Sequence, residues 1–216
     1  MPDIFDEVEA DLRAERARRF FTRYAGAGVG LLVLIVLAVG GWEAWQYYRA
    51  RDLLRLSDSY LAAQRLADAT PPDRAAAIDA FGRIAAGSAS GYRALATLRE
   101  AALKADGGDL AGASALWDQV AGTGAVDPLL RDLASLLWVM HHVDSSEPAQ
   151  VEARLQSLGA ADNPFHGLAA EMMALVEIRA GRPDAARATL KQLAADVTAP
   201  AGVRGRANGL LQQLGG

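Results

Sequence analysis

The sequence predicts an all-α chain: one transmembrane helix near the N-terminus, then a right-handed array of about four helix hairpins with a C-terminal capping helix. Three observations lead there. The composition is helical, residues 25–42 form an uninterrupted apolar run, and one hairpin pattern recurs at spacings of 36, 38 and 35 residues.

Of the 216 residues 51% are hydrophobic but only 6% aromatic, and no alternating strand pattern appears outside residues 29–39. Alanine and leucine dominate, and both favour helix. From Ala44 onward 17 Arg and Lys stand against 19 Asp and Glu. That balance, with no basic stripe interleaved with aromatics, excludes a nucleic-acid binder. Cysteine is absent, which removes disulfides, thiol nucleophiles and thiolate metal sites.

Residues 1–24 read as a cytoplasmic amphipathic lead. Ile4, Val8 and Leu12 share a helical face, and Glu9–Arg13 and Glu15–Arg19 are i,i+4 pairs in the favourable order. Residues 25–42 then carry no charge, and a helix of that length reaches roughly 27 Å, close to a bilayer's hydrocarbon thickness. Phe20, Phe21 and Tyr24 precede the run, and Trp42, Trp45, Tyr47 and Tyr48 follow it, as interfacial anchors do. Arg13, Arg16, Arg18, Arg19 and Arg23 outnumber Arg49, Arg51 and Arg55 across it, which orients the N-terminus to the cytoplasm. Signal cleavage after Ala38-Val39-Gly40 is the alternative. The long leader with its six acids, and the helical pattern running on from Trp42 to Leu66, argue against it. Gly26 and Gly30 form one GxxxG step through which a homodimer could pack.

Residues 43–216 carry the repeats. Gly108 is followed at five, nine and twelve residues by Ala113, Trp117 and Val120. Gly181 repeats this with Ala186, Leu190 and Leu193, Pro72 with Ala77, Phe81 and Ile84, and Ser146 with Val151, Leu155 and Leu158. Those offsets place three apolar groups on one helical face. Thirteen and twelve residues before three of the starts stand Leu95-Ala96, Leu133-Ala134 and Leu168-Ala169, while the first copy has Ser59-Tyr60. The period points to tetratricopeptide-like hairpins, whose units run about 34 residues. Four pairs of helices follow: 49–66 with 72–86, 92–105 with 109–121, 128–143 with 148–158, and 164–180 with 183–194. A closing helix spans 202–214. Prolines 72, 128, 148, 164, 183 and 200 fall at or near helix starts, and glycines 87, 107, 108, 122, 159 and 181 at ends or turns.

The lead 3–23 (DIFDEVEADLRAERARRFFTR), Tyr24-Ala25-Gly26 and the span running into WEAWQYYRAR resemble the YfgM-type family across essentially the whole chain. These are ancillary subunits of the SecYEG translocon with a tetratricopeptide-like domain in the periplasm. The resemblance implies an inner-membrane protein of Gram-negative bacteria that contacts the translocon, periplasmic chaperones and their exported clients.

The remaining residues with chemical potential favour structural roles. His141 and His142 are adjacent and point about 100° apart on a helix, so they do not chelate one ion as an i,i+4 pair would. His166 follows Asn163-Pro164 at a helix start, with no carboxylate–histidine set near it, and reads as structural. Glu171, with Glu177 and Arg179 beyond it, lies among apolar neighbours and reads as groove-lining or salt-bridged to another helix. Trp117, Phe81 and Trp138 read as inter-helix core. The glycines of 25–41 make no phosphate loop, because no Lys-Ser/Thr follows. No catalytic residue, cofactor or metal site is expected. The function expected is an anchored interaction scaffold at the export machinery, the alternative being another envelope scaffold in outer-membrane assembly, cytochrome maturation or division.

Overall fold

A computed structural model describes residues 4–88 and 90–215, with side chains from Leu31 onward except at 32, 33, 52 and 90. The described residues form nine α-helices and no strand: α1 (Ile4–Asp68), α2 (Arg74–Gly87), α3 (Ser90–Asp106), α4 (Leu110–Gly122), α5 (Pro128–His142), α6 (Pro148–Leu158), α7 (His166–Arg179), α8 (Pro183–Ala195) and α9 (Ala201–Gln213). The chain divides into two compact units, Met1–Arg55 and Leu56–Gly216.

In the second unit each helix packs on the next, and α3 touches α5, α5 touches α7, and α7 touches α9. Hairpin neighbours plus every second helix is the contact pattern of a stacked array. All twelve apolar residues at offsets five, nine and twelve are buried. Eleven of them, all but Ala186, fall in three successive cores. Ala77, Phe81 and Ile84 join Ala63 and Ala96; Trp117, Val120, Val151, Leu155 and Leu158 centre the second; and Leu190 and Leu193 join Val203 and Ala207 of α9. The alanines of the paired motif, Ala96, Ala134 and Ala169, are buried too, letting two helices approach closely. Their leucine neighbours Leu95, Leu133 and Leu168 stay partly exposed.

The turns within hairpins follow from single residues. Gly108 and Gly181 have φ of 87° and 71°, the left-handed region that an L side chain rarely adopts. In both turns the next residue reaches back to close the helix end: the Asp109 N–H donates to the Lys104 carbonyl, and the Arg182 N–H to that of Glu177, each at 2.9 Å. The second helices then start in two ways. Asp73 and Asp109 accept from the backbone of Ala76 and Gly112 at 3.1 and 2.9 Å, a side-chain cap. α6 and α8 instead begin on Pro148 and Pro183, whose missing N–H costs nothing there.

Boundaries differ from expectation at two prolines. α2 begins at Arg74, because Asp73 takes the capping position after Pro72. α7 begins at His166, because the Asn163 side chain accepts from the Phe165 N–H at 2.9 Å and holds Pro164 in a turn.

α1 carries the lead, the predicted span and the first array helix as one element. Among the described residues no helix is long and apolar enough to cross a membrane. Of the predicted span, residues 25–30, 32 and 33 lie outside the described side chains. So do the pairings of the lead, the aromatics before the span, and Gly26 with Gly30. The described part is apolar on all sides and open: Leu31, Leu34, Ile35, Val36, Leu37, Val39, Trp42 and Trp45 are each half exposed or more.

Candidate protein-interaction surface

In α3, α5 and α7 three residues recur thirteen, nine and six positions before the hairpin turn, on one face by helical spacing. In α5 they are Leu133, Leu137 and Met140, in α7 Leu168, Met172 and Leu175, and in α3 Leu95, Arg99 and Ala102. None of the nine is fully buried. Because α3, α5 and α7 are neighbours, the positions line up across the array as a leucine and methionine surface. Methionine adapts its shape to a partner better than branched side chains do. Its α3 end is polar: Arg99 donates to Gln64 at 3.1 Å and pairs with Asp68 at 3.5 Å.

The buried Glu171 sits on this same helix α7. Its two oxygens accept from Arg206 of α9 at 2.5 and 2.6 Å, so of the two readings the sequence offered, the interhelical ion pair holds. A fork-to-fork pair satisfies a carboxylate that burial would otherwise penalise. Glu177 accepts from Thr189 at 2.9 Å, and Arg179 donates to the Ser146 carbonyl.

The histidines are dispersed. The His141 ring lies 4.7 Å from that of Trp117, whereas His142 stacks on Trp138 at 4.1 Å and 4°. Each also sits against the carbonyl one turn back, at 2.9 and 2.8 Å. His166 has a structural partner that the sequence reading did not name. Asp196, from the loop after α8, faces its Nε2 at 3.0 Å, with Thr198 Oγ1 at 3.1 Å. The partner is thirty residues away and becomes a neighbour only through hairpin packing. The Thr198 hydroxyl and N–H, which both donate to Asp196, hold its carboxyl down at about 2. Among the described residues no group of three or more His, Asp or Glu is placed to hold a metal ion.

One cluster escaped the sequence reading. The Arg154 guanidinium of α6 lies over the Trp138 ring of α5, 3.9 Å from its centroid, and donates to Asp118 of α4 at 2.7 Å. With His142 on Trp138 this joins three helices. Trp138 was legible as core, but nothing local marks Arg154 as its roof. Only the repeat register, eight residues before a turn for Trp138 and eight after for Arg154, could have signalled it.

The geometry defines a class: a helix-hairpin repeat array presenting an apolar face made of its first helices. The tetratricopeptide repeat-like domain family matches residues 18–199, and the chain belongs to that family. No curated protein and no solved structure matches it. Domains of this kind are generally non-catalytic scaffolds that mediate protein–protein interactions.

Proposed function

We propose that the chain is a single-pass envelope protein that holds other proteins beside the protein-export channel. Its array would work in the periplasm and its lead in the cytoplasm, as an ancillary translocon subunit linking SecYEG to a periplasmic chaperone. The observation that carries the anchor is the exposed apolar helix of α1. Leu34, Ile35, Val36 and Leu37 are consecutive and all exposed. Consecutive positions cover every side of a helix, and an all-round apolar surface is stable only when buried or in lipid. Trp42, Trp45, Tyr47 and Tyr48 follow on several sides, with Arg49 over Trp45 at 4.6 Å and Arg51 over Tyr47 at 4.9 Å. Rings backed by arginines suit a headgroup layer. The family match starts at residue 18 and so takes in this helix with the repeats. The translocon as partner rests on the resemblance of the lead and span to YfgM-type proteins.

Mechanistically the anchor confines the array to a thin layer, which raises the effective concentration of anything it holds near the membrane. Two measurements test the reading. Protease added to spheroplasts should remove the array and leave a fragment containing the span; a mature N-terminus after Gly40 would overturn the anchor. Co-purification after mild solubilisation should recover the translocon. Recovery of another envelope complex instead would keep the scaffold and replace the partner.

A further inference from the structure

α3, α5 and α7 each pack between two second helices, which makes the same kind of wedge three times. One residue on the floor, eight positions before the turn, decides what becomes of it. In the wedge of α2, α3 and α4 that residue is Glu100, whose carboxyl burial pushes up; the space there is open, about 450 Å³, but polar, lined by Arg93, Thr97 and Gln119 beside Glu100. In the wedge of α4, α5 and α6 it is Trp138, which fills the space under the Arg154–Asp118 roof. In the wedge of α6, α7 and α8 it is Met173, and the space is open: a cavity of about 290 Å³ walled by Leu155, Ala169, Ala170 and Leu193. The roof is missing for a reason visible in the register. Thr189 stands where the middle copy has Arg154, and it is short and turned to Glu177 at 2.9 Å. Gln156 stands where that copy has Asp118.

We propose that this last wedge docks one aromatic side chain of a partner protein, followed in the partner by a basic residue. The middle wedge displays the fit, because the same backbone frame there holds an indole with a guanidinium beside it. Charge complementarity adds the basic neighbour. Asp196 lines the open wedge beside His166, which faces one of its oxygens at 3.0 Å; its side chain is still 30% exposed, and neither Lys nor Arg is among the wall residues to compete for a cation from the partner. The Gln156 and Gln192 amides at the rim can pair with the backbone of an extended segment. This site lies between the second helices, apart from the leucine and methionine surface of the first helices, and is independent of the membrane reading.

The test uses the full-length chain in lipid nanodiscs with ¹³C-methyl methionine, and the peptide acetyl-Gly-Trp-Arg-Gly-amide as probe. The ring should move the Met173 methyl resonance upfield and saturably, leaving Met140 and Met172 of the other face in place. Replacing the probe's Trp by Ala should weaken binding about tenfold, and replacing its Arg by Glu should weaken it further. Met173→Trp, which copies the middle wedge and removes the reporting methyl, should abolish binding as read by titration calorimetry, with the helical content unchanged. Should that variant misfold, Ala170→Leu narrows the same space and should do the same. An unmoved Met173 resonance at the probe's solubility limit would overturn the proposal. Equal shifts at all three methionines, or full binding to a folded plugged variant, would do so as well.

Discussion

Glu171 and Arg206 are joined by two hydrogen bonds of 2.5 and 2.6 Å, and this pair ties α9 to α7. The carboxylate is 6% exposed and the guanidinium 56%, so the acid depends on the arginine far more than the reverse. Arg206→Ala should cost about 2 kcal/mol, because it strands a buried charge. Replacing both residues by methionine should recover most of that loss, since the site is otherwise apolar. Denaturant titration of the single and double variants checks this. Equal destabilisation by both would show that the pair itself, and not the stranded acid, matters.

Gly108→Ala and Gly181→Ala should each cost about 1 kcal/mol, the penalty of a left-handed L residue. Their φ values of 87° and 71° leave the added methyl in open space, so the effect is conformational and not steric. Gly87→Ala, at an ordinary helical end with room around it, serves as the control and should be neutral or stabilising. Thermal melts of the three variants suffice.

Trp117 is fully buried and its indole N–H has no acceptor. Trp117→Ala should therefore cost about 3–5 kcal/mol, while Trp117→Phe costs much less because no hydrogen bond is lost. His142→Gln should cost about 1 kcal/mol, the order of one lost hydrogen bond, through its bond to Ser114 at 3.0 Å and its stacking on Trp138. His141→Gln should be milder, since that ring is exposed. A chelator should leave the unfolding midpoint unchanged.

Two carboxylates should shift stability with pH in opposite senses. Asp196 is held down at about 2, so its ionised form stabilises the fold above the ordinary carboxylate range and loses that effect as pH falls through its folded value. The deficit of Asp196→Asn at neutral pH should shrink on acidification. Glu100 is raised, first by burial, then partly lowered by Lys104 and raised again by Asp79. Its charge therefore opposes folding above its titration, and Glu100→Gln should raise the melting temperature at pH 7 with a gain that fades in acid. Melting curves from pH 7 downward decide both signs.

Much of the fold was readable because it is local and periodic. Offsets of five, nine and twelve survive any change in loop length, so the buried residues of all four second helices could be named. The proline and glycine punctuation marked the ends to within two residues. What misled was sequence distance. The partner of His166 went unnamed because Asp196 is thirty residues on, and Glu171 kept two readings open because Arg206 lies on the capping helix.

By itself the sequence determined the helix count, the hairpin period, the apolar run near the N-terminus and the small-against-bulky alternation that lets helices pair. Apart from the hairpin period, which is the recurrence of one local pattern, each depends on spacing within about twenty residues, where helical geometry alone relates position to face. Only the tertiary structure decided which wedge is filled and which stays open. Trp138, Glu100 and Met173 occupy one repeat position, and their environments come from helices on either side. Arg154 reaches across to Asp118 and closes its wedge, while Thr189 at the same position is too short to do so. That difference is a matter of side-chain reach between helices about 36 residues apart, and no periodicity within a single helix encodes it.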